Sequence, residues 1–82
     1  MRNGMILTVE LKKQANGTPE EVTIFCDQKG LDFLVAKLQQ LSGKMMDHTH
    51  LMTPSWAGTE LTEVKQGGDA YEMVQHLKLV KI

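Results

Sequence analysis

At 82 residues the chain has room for one hydrophobic core, so 1–82 reads as a single domain, a size that buries only about 60% of its unfolded surface. Hydrophobic residues at 41% and charged residues at 23% exclude an intrinsically disordered chain. A net charge of −1 leaves no basic face for nucleic acid and too little acidity for a mimic of it.

The first four residues lead into an apolar patch too short for a signal-peptide core, and no run approaches transmembrane length. A cytoplasmic protein is therefore expected, with no membrane partner. Residues 5–13 alternate, with Met5, Leu7, Val9 and Leu11 on one face and Thr8, Glu10 and Lys12 on the other. That is the period of a half-buried strand with a polar outer face. Asn16-Gly17 suits positive φ and hence a hairpin turn. Residues 21–26 follow as a second strand, with Val22, Ile24 and Cys26 sharing a face. Cys26 is the sole cysteine, which excludes an intramolecular disulfide, and its apolar alternating context predicts a buried thiol.

Asp27 is placed to cap a helix. Beyond it, Leu31, Leu34, Val35, Leu38 and Leu41 fall in one helical arc, the stripe expected to pack on a sheet, and Ser42-Gly43 ends it. Gly43 is expected in the left-handed region. Phe33 lies nearly opposite the stripe, so either it tucks against a loop or the first turn is irregular; an exposed aromatic at an interface is the other reading. Residues 44–52 read as a third strand with neither face cleanly apolar. Thr53-Pro54-Ser55 begins a turn closed by Gly58, residues 60–64 suit a short strand, and 65–69 form a flexible turn. From 74 to 82 both faces carry apolar side chains, as in a strand near a sheet centre. The sum is an α+β fold: a mainly antiparallel sheet of four to five strands with one helix on one face, in the order β-β-α-β-β-β.

Stretch 47–61 concentrates the unusual residues, with two of three histidines and the only tryptophan. His48 and His50, two apart on a strand, project from one face, and His76, Glu60 or Glu63 could complete a metal set, yet no fixed third-ligand spacing supports one. No metal or cofactor is therefore expected. A catalytic centre is not expected either: Ser55 and Cys26 lack a nucleophile context, and Gly67-Gly68 is not a phosphate loop. Trp56 reads as a core plug over the sheet edge, with an exposed binding anchor as the alternative. The methionines read as gap fillers among sheet residues.

Asp27-Gln28-Lys29-Gly30-Leu31, His48-Thr49-His50-Leu51, Trp56-Ala57-Gly58-Thr59-Glu60-Leu61-Thr62-Glu63 and His76-Leu77-Lys78-Leu79 together resemble the immunity protein 32 family of bacterial polymorphic toxin systems. Ala57 stands where a second glycine is expected. The resemblance implies a non-catalytic protein that binds and neutralises a cognate toxin through His48, His50, Trp56, Glu60, Glu63 and His76. A small His-based metal-binding or hydrolytic domain, and a structural subunit that forms a homodimer through an exposed strand edge, are the alternatives.

Overall fold

Alternation and turn chemistry produce a hairpin in the N-terminal third of the chain, β1 (Leu7–Lys13) and β2 (Pro19–Cys26), paired antiparallel with Leu7 opposite Cys26 and Val9 opposite Ile24. Gly17, at φ 86°, sits in the intervening turn. The computed structural model describes residues 4–82; residues 1–3, the start of the stretch weighed as a leader, lie outside the described residues. After the hairpin come α1 (Gln28–Ser42), β3 (Asp47–Met52), a 3-10 turn (Pro54–Trp56), β4 (Tyr71–Val74) and β5 (His76–Lys81). The five strands form two antiparallel sheets, one ordered β2-β1-β4 and the other β3-β5. The α+β class and the element order agree with the sequence. The short strand does not lie where the sequence places it: residues 60–64 carry no strand, and the fourth strand is Tyr71–Val74. The single final strand expected over 74–82 breaks at Gln75, where the chain changes partner from β1 to β3.

The core is small. Met5, Leu7, Val9, Leu51 and Leu61 are its buried hydrophobics, with Phe33, Leu34, Val74, Leu77 and Leu79 packed around them. Both faces of β1 are covered, which corrects the expectation of a polar outer face: Thr8 and Glu10 are as inaccessible as Leu7. The loop between β3 and β4 folds across that second face and supplies Glu10 with donors. The Gln66 and Gly67 amides each reach a carboxylate oxygen at 2.9 Å, and the Thr8 hydroxyl donates at 2.6 Å. Burial pushes the Glu10 carboxyl up, but these donors and the Lys65 charge outweigh it and hold the group below its ordinary value.

The helix is rotated relative to the expected stripe. Asp27 caps it as predicted, accepting from the Gly30 amide at 2.8 Å. Gly30 is the helix's buried residue, and a Cβ there would stand 1.9 Å from the Ile6 carbonyl oxygen. That close approach pins the glycine line against the sheet and turns Phe33 inward together with Leu34 and Leu41. Phe33 is thus half-buried against the core in a regular helix, with the Lys37 ammonium 5.3 Å from its ring centre. Leu31, Val35 and Leu38 are left on the flank, 42–46% exposed. Gly43 ends the helix at φ −78° rather than in the left-handed region, its amide bonded back to the Gln39 carbonyl and the next amide, of Lys44, to the Leu41 carbonyl. The Lys81 ammonium takes the Ser42 and Lys44 carbonyls and ties the helix end to β5. Cys26 is exposed, not buried, because it lies on the edge strand of its sheet. Met45 and Met46 fill no gap; they are more than four-fifths exposed in the turn before β3. Among the described residues no helix is long and apolar enough to cross a membrane.

Candidate functional site

The register of β3 against β5 decides which side of the ribbon faces the core. Leu51 lies opposite Leu77 and Thr49 opposite Leu79, and these turn inward, Leu51 being fully buried. By the two-residue period of a strand, the other side carries His48, His50 and Met52 with Val80, Lys78 and His76 as their cross-strand partners. The sequence could not choose between these faces because each mixes apolar and polar residues. The structure puts all three histidines on the outer one.

They form a row. The ring centres of His48 and His50 are 4.9 Å apart, edge to face, and those of His50 and His76 are 4.8 Å apart. His50 Nδ1 and His76 Nε2 share a hydrogen bond of 2.7 Å, so at least one of the two nitrogens must be unprotonated. Partial burial lowers the His50 value below the ordinary imidazole range, and the neighbouring His76, His48 and Lys78 push the same way. Asp47, beside His48, accepts from the His48 amide at 2.7 Å and pairs with Lys44 at 3.2 Å, which lowers its own carboxyl.

Trp56 continues the row, its ring 6.1 Å from that of His76. It is 56% exposed, so the core-plug expectation is corrected. The reason is local. Thr53, Pro54 and Ala57 set a tight turn, with the Trp56 amide bonded to the Thr53 carbonyl and Ala57 at φ 64°, which throws the indole outward. The core position is taken by Leu61 instead.

Glu60 and Glu63 do not join the row. Glu60 accepts from the Met52 amide at 3.0 Å and from the Thr59 hydroxyl at 3.2 Å. Its burial raises the carboxyl value, yet these donors prevail and hold it low. Glu63 accepts from the Ser55 amide. Glu60 thus stitches loop 53–63 onto the end of β3, and Glu63 ties the loop to itself across the tryptophan turn. Gly58 serves the same seam: a Cβ there would meet the Met52 carbonyl oxygen at 2.3 Å. In the run Trp56 to Leu61, the glycine, glutamate and leucine therefore hold the loop in place, and the tryptophan is free to act outward.

Two depressions flank the row. One of about 400 Å³ is lined by Met5, Pro54, Gly58, Leu61, Thr62 and Glu63. The other, about 380 Å³, is bordered by Met46, His48, Val80 and Ile82 at the far end of the ribbon. Among the described residues no group of three His, Cys, Asp or Glu side chains converges as a metal set. Lys78 and Val80, exposed between the histidines, are residues the sequence reading left out of the site; their place opposite His50 and His48 follows only from the register. Compared with known proteins, the chain matches no family model, no curated protein and no solved structure.

Proposed function

We propose that this chain is an immunity protein that binds and neutralises a cognate bacterial toxin by occlusion, without catalysis, and that the outer face of β3 and β5 is the surface it uses. The observation that supports this reading is the continuous row His48, His50, His76 and Trp56 on an accessible strand face. An exposed tryptophan next to polar, hydrogen-bonding rings is the composition of an interface centre: a large apolar surface with directional groups beside it. The row coincides with the runs that carry the resemblance to immunity protein 32, once their fold-holding members Gly58, Glu60 and Leu61 are set aside. The face presents Lys78 and three imidazoles, so a toxin surface rich in carboxylates and aromatic rings fits it.

Co-expression with the toxin encoded beside it tests the reading. Wild-type protein protects the cell, and the double substitution His48→Ala with His50→Ala leaves the fold intact and abolishes protection. A folded double mutant that protects as well as wild type would sink the assignment of this face.

Metal binding by the same histidines has one observation in its favour, the 2.7 Å approach of two imidazole nitrogens. Stoichiometric zinc or nickel added to untagged protein raises the melting temperature under that reading and leaves it unchanged under the first.

A further inference from the structure

We propose that β2 and the adjacent flank of α1 form a self-association surface, on which a second copy of this chain docks by antiparallel β2–β2 pairing about a two-fold axis at Thr23. Three independent features meet there.

The first is hydrogen-bonding direction. Leu7 gives its amide to the Thr62 hydroxyl and accepts at its carbonyl from the Thr62 amide, on the side of β1 away from β2. Leu7 and Cys26 are therefore a pair that exchanges no hydrogen bonds, and by the alternation of an antiparallel ladder so are Val9–Ile24 and Leu11–Val22. The backbone groups of Val22, Ile24 and Cys26 must point out of the open edge of the sheet. The amide of Asp27, next in the alternation, does point inward, to the Ile6 carbonyl at 3.1 Å.

The second is apolar exposure at the same residues. Val22 is 64% and Ile24 42% exposed, although they share a sheet face with the buried Leu7 and Val9. On α1, Leu31, Val35 and Leu38 lie about 100° round from the buried line. A right-handed helix that leaves β2 and runs back over that face turns this flank toward the open edge. Backbone and side chains of one strand thus lack cover together, in a domain whose buried core holds five hydrophobics among the described residues.

The third is self-complementarity. Pairing centred on Thr23 puts Val22 opposite Ile24 of the second copy, and both present backbone groups to the new ladder. The same register places Glu21 opposite Phe25 and Glu20 opposite Cys26, so no like charges meet. A two-fold perpendicular to the sheet keeps both helices on one side, with their apolar flanks facing across the axis. The product is a continuous six-stranded sheet in which two open edges are removed at once.

Sedimentation velocity on the full chain, from micromolar to sub-millimolar concentration, reads the outcome. Wild-type protein sediments as a dimer of the 9.2 kDa chain, and Ile24→Lys converts it to a folded monomer. In a Cys26→Ser background, Thr23→Cys gives a disulfide-linked dimer on mild oxidation, since facing residues of a non-hydrogen-bonded pair lie about 4.5 Å apart at Cα. His48→Ala with His50→Ala leaves the dimer unchanged, which separates this interface from the histidine face. A monomeric wild type, an Ile24→Lys protein that stays dimeric, or a Thr23→Cys protein that does not cross-link overturns the proposal. So does a monomer that uses Ile24 to bind a different protein.

Discussion

Glu10 and His50 are both ionisable groups on strands, and the protein treats them in opposite ways. Glu10 lies under a loop with three hydrogen-bond donors on its carboxylate, and its sheet face is closed. His50 has one side-chain hydrogen bond, to His76, and a face open to solvent. A charge surrounded by fixed donors is committed to the fold, because any change leaves those donors buried without a partner. A ring held by one neighbour keeps unused hydrogen-bonding capacity that a partner can take. The contrast separates residues that hold this molecule together from those it presents.

The largest expected effect comes from breaking the closed side. Glu10→Ala strands the Gln66 and Gly67 amides and costs about 3 kcal/mol, a fall of more than ~10 °C in melting temperature for a domain of this size. If Glu10→Ala melts within a few degrees of wild type, the loop is not anchored as described. Gly58→Ala is expected to follow at ~2 kcal/mol, because the methyl group collides with the Met52 carbonyl and loosens the seam beneath the tryptophan turn. Trp56→Ala, on the open side, should cost less than ~1 kcal/mol by chemical denaturation while weakening binding of the proposed toxin partner. A large loss of stability there would return Trp56 to the core.

Acid sharpens the same comparison without mutation. Both groups titrate below their ordinary values, so each favours the folded state above its unfolded value and loses that contribution as pH falls through its folded one. For His50 the decline begins below about pH 6.5, and for Glu10 below about pH 4.5. Melting curves across this range should show two separate losses, the lower one reduced in Glu10→Gln, with the remainder carried by Glu60 and Asp47. Proton NMR of the imidazole should place His50 below 6.5. A His50 midpoint at or above that value contradicts the packing of the row.

Much of the fold is legible in the sequence, since the hairpin, the Asp27 cap and the element order follow from local rules. The rest depends on contacts distant in the chain. The helix period identifies an apolar arc, but the rotation of α1 depends on Gly30 meeting the Ile6 backbone, which nothing local announces. Glu10 reads as a surface residue because alternation cannot foresee a loop more than fifty residues later that closes over it. His48 and His50 were visible as a pair by spacing alone, and His76 only as one of several third members. Their outward direction was not, because Leu51, Leu77 and Leu79 win the inner face only once β3 and β5 are in register. Trp56 misleads for a similar reason: a large aromatic suggests a core, and the turn that expels it is a matter of backbone angles.

The change of partner at Gln75 has a consequence for synthesis on the ribosome. β1 and β2 can pair as soon as they emerge, but β1 obtains its other neighbour only when β4 arrives, after the helix, β3 and the long loop have been made. Until then the hairpin presents a second open edge, and Glu10 has only the Thr8 hydroxyl until the Gln66 and Gly67 amides emerge just ahead of β4. β3 waits longer still, for β5. Closure is a late event that depends on non-local pairing, which makes folding slow relative to a helical protein of equal length and leaves nascent chains open to strand exchange with one another.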